Sequence, residues 1–168
     1  MNIVERVYIS MNYLREKDDN CYLLSKIQSN IFERSSIKEI PSSYFVKVYA
    51  ASSYCKSFDD LSWLDESISE YEIFDDIKEK THMKRGVVYP PHVMAWIGYL
   101  LREWSYIYRM NTSSILRKVP LSFLAEVYSN FHSMDVGKAI ISIAEARDIP
   151  LIYDNEQRVI DIVRQIRK

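Results

Sequence analysis

Glycine is scarce in this chain. Three residues, Gly86, Gly98 and Gly137, serve 168 positions, too few and too scattered for a loop that cradles phosphate. With only 5 prolines beside them, they exclude a turn-rich β-sandwich and a disordered chain. Cysteine is rarer still. Cys21 and Cys55 stand far apart with no CxxC, which excludes a disulfide framework and a zinc site. His82, His92 and His132 are not three or four residues from one another and form no HExxH, so structural roles are expected for them. A GxSxG nucleophile motif is absent. Asp59-Asp60 and Asp75-Asp76 are paired acids, but neighbours on a helix point apart and do not share a metal. No helix carries the Arg and His on one face that a helical ribonuclease site needs. No run reaches the roughly 20 apolar residues of a membrane span. The opening MNIVERVYISMNYLREKDD has early acids and no long apolar core, unlike a signal peptide. The expectation is a cytoplasmic chain with reduced thiols, no membrane partner, no metal, no cofactor and no enzymatic activity.

Apolar residues are plentiful. They make up 48% of the chain, aromatics 13%, and there are 13 tyrosines. A chain of this length with this share fits one domain over residues 1–168 with a substantial core. A sub-division near 80–86 is the weak point, where an N-terminal helical part, 1–80, gives way to a second helical part, 87–168. The net charge of −1 exerts no general pull on nucleic acid. The charge is unevenly spread, however. Asp59 to Glu79 holds nine acids against one base, and Thr81 to Pro120 holds six bases against one acid. The two segments can dock on each other within the chain, or leave an acidic face for a partner.

Apolar periodicity predicts an all-α fold, a compact irregular bundle of about eight helices with strands minor or absent. Helices are expected over Ile3–Glu16, Cys21–Phe32, Ser42–Tyr54 (capped by Ser42 or Ser43), Ile68–Glu79, Pro90–Met110, Ser113–Val119, Leu121–Phe131 and Val136–Ala146. Asn111 and Asp135 are placed to cap the helices they precede. Asp154 and Gln157 resemble a capping box for a last helix, and Leu151 to Tyr153 suits a short strand. Thr81 to Tyr89, with Gly86 and the β-branched pair Val87–Val88, reads as loop or a short extended piece.

The run PPHVMAWIGYLLREWSYIYRM from Pro90 is the most informative. Its prolines suit the first turn of a helix, where a missing N–H costs nothing. Val93, Ile97, Leu100, Trp104 and Ile107 form an apolar stripe, widened by Met94, Leu101 and Tyr108. The opposite side carries Tyr99, Arg102, Tyr106 and Arg109. This face suits cover by the acidic segment of the same chain, a partner hot spot, or phosphate and single-stranded nucleic acid. The partner reading is the one adopted for these four residues. Gly98, beside them, is expected to admit close helix packing. Ser113 to Asn130 holds two short apolar segments in the manner of a helix-turn-helix. The second carries Glu126 and no base, which makes nucleic acid a poor partner for it.

Several residues here resemble a group of small uncharacterised bacterial proteins, found especially in Firmicutes. They are Trp96-Ile97-Gly98-Tyr99, Arg102 and Trp104, Ser113-Ser114, Tyr128, and Phe131-His132-Ser133-Met134-Asp135. Such proteins are encoded in short operons beside toxins, some of which resemble ADP-ribosyltransferases. The resemblance implies an antitoxin-like protein that neutralises a neighbouring toxin by direct protein–protein binding. It carries no catalytic residues over. The other class of function is a DNA-binding transcriptional regulator of its own operon, expected as a symmetric dimer. A homo-oligomer is compatible with either.

Overall fold

The structure, a computed structural model, describes residues 19–60, 68–82 and 85–149. The helix expected over Ile3–Glu16, the strand at Leu151–Tyr153 and the helix after Asp154 lie outside the described residues. Within them the fold is all-α. Eight helices run in order: α1 (Asp19–Ile37), α2 (Ser42–Ala51), α3 (Ser53–Asp59), α4 (Glu70–Lys80), α5 (Pro91–Tyr108), α6 (Thr112–Lys118), α7 (Leu121–Phe131) and α8 (Val136–Ala146). No strand occurs among the described residues, and no helix there is long and apolar enough to cross a membrane.

Most helix starts follow the chemistry of their first residues. Pro91 opens α5 at the position where no N–H is needed. Asn111 caps α6 by accepting from the Ser114 N–H at 2.8 Å, and Asp135 caps α8 through the Gly137 and Lys138 N–H groups. Ser69 and Glu72 form a reciprocal capping box at α4. The expected single helix Ser42–Tyr54 is two. Ser52 takes an extended conformation and its Oγ accepts from the Cys55 N–H, which ends α2 and starts α3. Ser42 lies inside α2 rather than at its cap, with its Oγ accepting from the Tyr89 N–H at 2.9 Å.

The core is one cluster that runs from Leu24 on α1 to Ile149 beyond α8, so residues on both sides of 80–86 share it. α5 lies at its centre, packed most extensively against α1. At their crossing a Cβ on Gly98 would stand 2.8 Å from the Gln28 carbonyl and about 3 Å from the Phe32 side chain. Glycine is therefore what allows the two backbones to approach so closely. Gln28 Nε2 donates to the Gly98 carbonyl at 2.8 Å and Ser29 Oγ to the Ala95 carbonyl at 2.9 Å, which fixes the register. The apolar stripe of α5 is inside, with Trp104 fully buried and Ile107 half-buried at its end. Six consecutive residues, Leu100 to Ser105, are buried. The middle of this helix is enclosed on every side, as a central helix must be.

A buried arginine network beneath an open cleft

Arg102 does not reach the surface. Its side chain is 1% exposed, so the partner-contact role expected for it is replaced by one inside the core. The physical reason is Asp59, the first acid of the acidic run. Arg102 Nη1 meets Asp59 Oδ1 at 2.7 Å, and a buried charge is tolerable only with such a partner. The remaining N–H groups also find acceptors. Nε and Nη2 donate to Gln28 Oε1 at 3.1 and 2.9 Å, and Nη2 donates to Thr112 Oγ1 at 3.0 Å. Tyr49 donates to the same Gln28 oxygen at 2.6 Å. Asp59 accepts in addition from Ser105 Oγ at 3.0 Å, Thr112 Oγ1 at 2.8 Å and the Thr112 N–H at 3.1 Å. The network thus joins α1, α2, α3 and α6 to α5.

Its electrostatics are those of a structural cluster. Burial pushes the Cys55 thiol up to about 11, against an opposing pull from Arg102. Cys55 is therefore a neutral thiol at physiological pH and a poor nucleophile. Burial likewise raises the Tyr49 hydroxyl well above its ordinary value. For Arg102, burial alone would lower the guanidinium. Tyr49, Cys55 and Asp59 more than offset this, and the net direction is upward.

Asp59 connects the network to the outside. It lines an open cleft of about 560 Å³ with Asp60, Ser105, Tyr106, Arg109, Met110 and Asn111. Two of the four residues singled out in the sequence, Tyr106 and Arg109, meet here. Tyr106 is half-buried and Arg109 exposed. Arg109 closes α5 in the left-handed conformation, φ 50°, which turns the chain sharply at the cleft. Among the described residues neither Asp60 nor Arg109 forms an ion pair. Tyr99, half-buried, lies two turns back along α5 and does not line this cleft.

Docking of the acidic segment on the basic one is thus realised by Asp59. Three of the five acids of α4 are engaged elsewhere among the described residues. Glu70 accepts from Asn30 at 3.0 Å, Glu72 closes the capping box, and Asp76 pairs with Lys80 at 2.8 Å. One cluster escaped the sequence reading. His132 stacks on Tyr128 at 4.5 Å, and His92 and Trp96 approach the same ring at 5.3 and 5.5 Å. The i,i+4 spacing of Tyr128 and His132 was the available signal; the approach of α5 was not visible. No group of three or more metal-binding side chains occurs among the described residues. No protein-family model, no curated protein and no solved structure matches this chain.

Proposed function

We propose that this chain works by binding another protein through the cleft at the C-terminal end of α5, and that the partner is a toxin encoded beside it, which the binding neutralises. The observation that carries the reading is Arg109 and Asp60, two charges of opposite sign without an ion-pair partner among the described residues, flanking Tyr106 in one open cleft. Tyr and Arg dominate the energetics of protein interfaces, and unpaired charges of both signs fix the orientation of a partner. The state of the cleft floor supports binding over catalysis. The Asp59 carboxylate is taken up by Arg102, Ser105 and Thr112, and Cys55 behind it keeps its proton. The partner's identity as a toxin, including one resembling an ADP-ribosyltransferase, rests on the resemblance of Trp96 to Asp135. In this reading the cleft covers the toxin's substrate site.

The test is co-expression with each neighbouring gene product. The expected result is rescue of growth and co-purification, with Tyr106→Ala weakening the complex by about 2 kcal/mol while the variant stays folded. Failure to bind any neighbour, with a salt-sensitive shift of the operon's own promoter DNA instead, would replace this reading with the regulator.

A further inference from the structure

Between α4 and α5 the chain passes through Arg85-Gly86-Val87-Val88-Tyr89-Pro90 without forming helix. Its residues favour an extended path. Val87 and Val88 are β-branched, and Tyr89 precedes a proline, which bars the helical region. The hydrogen bonds alternate as in a strand. The Val87 carbonyl accepts from the Ser42 N–H at 2.9 Å. The Tyr89 N–H donates to Ser42 Oγ at 2.9 Å, and the Tyr89 carbonyl accepts from Ser36 Oγ. In an extended chain the N–H and C=O of one residue point to one side, and those of its neighbours to the other. Residues 87 and 89 therefore turn their main chain towards the corner between α1 and α2. Val88 turns its own away, and among the described residues its N–H and C=O have no partner. Gly86 lets the segment lie on Pro41, where a Cβ would stand 2.8 Å from the proline Cβ. The side chains above are apolar and open: Val87 is 66% exposed and Val88 37%, and Ile37, next to Ser36, is 60% exposed. Arg85 is exposed at the end of the strip and forms no ion pair among the described residues.

We propose that Arg85 to Tyr89 is a strand-addition site, which pairs antiparallel with an extended, β-branched segment of another protein that carries an acid opposite Arg85. One side of this extended segment is already tied to the fold, so the other, open among the described residues, is held ready at little ordering cost. Val88 offers the donor and acceptor of one hydrogen-bonded pair, its flanking side chains offer cross-strand contacts, and main-chain pairing of this kind is a general mode of peptide capture. A second copy of this chain fits poorly. Self-pairing about Val88 would set Pro90 against Gly86 and Pro91 against Arg85, which supplies neither a main-chain donor nor an acid. The site is separate from the α5 cleft and does not depend on the antitoxin reading.

The probe is the acetylated, amidated hexapeptide Thr-Thr-Val-Thr-Val-Asp. Its third residue falls opposite Val88 and its last opposite Arg85. It is titrated into the full chain, labelled with nitrogen-15. The expected result is a downfield shift of the Val88 amide and at least about tenfold slower exchange of its proton. Val88→Pro, which deletes that N–H but none of the inward bonds, should abolish peptide binding, read in both proteins from the shifts of the neighbouring Val87 and Tyr89 amides, while leaving the melting temperature unchanged. Arg85→Glu should weaken binding about fivefold, and a peptide ending in Lys should restore it. Three outcomes would overturn the proposal: a Val88 amide unmoved by millimolar peptide, peptide binding by Val88→Pro at wild-type strength, or a Val88 shift that depends on protein concentration alone, which would assign the edge to a second copy.

Discussion

Arg102 shows how a surface-looking residue becomes the centre of a core. Its spacing from Tyr99, Tyr106 and Arg109 suggested a common face, but its partner Asp59 lies 43 residues away in sequence. A local pattern carries no information about such pairing. Removing one partner of a buried ion pair leaves the other charge stranded, which costs about 3–5 kcal/mol. Asp59→Ala should therefore lower unfolding free energy by that amount in urea denaturation, whereas Arg102→Met with Asp59→Leu, which removes both charges, should recover most of the loss. Cys55 adds a pH dependence. The folded chain keeps the thiol proton to about 11, against an ordinary value of 9.0. Between these values the unfolded state binds fewer protons than the folded one, so stability falls as pH rises. Below about pH 9 the contribution is intact. A Cys55→Ala variant should lack this part of the alkaline slope, as followed by denaturation at pH 8 to 10.5.

At the scale of the element, most helix starts were legible, as were the ends at Phe131 and Ala146, whereas the break at Ser52 and the end of α1 were not. Asn111, Pro91 and Asp135 are recognisable by side-chain chemistry, and the start of α7 after Pro120 was placed on the same ground. The ends of α1, α5 and α8 share a different device. Glu39, Arg109 and Asp148 have φ near 50°. The residue after each donates back across five positions, Ile40 to Ser35, Met110 to Ser105 and Ile149 to Ala144. This is the Schellman arrangement, with an apolar residue just beyond, and its left-handed position is usually glycine. In a chain with so few glycines, a charged residue occupies it three times among the described residues. This is why α1 runs to Ile37, five residues past its expected end at Phe32. Left-handed geometry costs a residue with a Cβ roughly 1–2 kcal/mol, partly offset by the freedom glycine adds to the unfolded chain. Glu39→Gly and Asp148→Gly should each raise stability by about 0.5–1 kcal/mol, seen as a higher denaturation midpoint at unchanged slope.

For the whole molecule, periodicity was enough for the fold class, because burial repeats every three to four residues along each helix. It did not reveal that α5 is enclosed on all sides, since Arg102 and Glu103 are polar yet buried at 1% and 0% exposure. Of the four residues taken as a contact face, geometry brings Tyr106 and Arg109 to one cleft, draws Arg102 beneath it, and leaves Tyr99 outside. Asp60, which completes the cleft, was hidden within a long acidic run. In the proposed function this cleft contacts a partner protein while the network beneath it holds the fold. Arg109→Gly separates the two, because it deletes the cleft's cation yet suits the left-handed turn better than arginine does. The direct measurement is the affinity of this variant for the co-purified partner, by calorimetry, beside its melting curve. The expected result is a dissociation constant raised about 30-fold, equivalent to about 2 kcal/mol, with a melting temperature equal to or above that of the wild type. Wild-type affinity in a variant that melts no lower would contradict this reading.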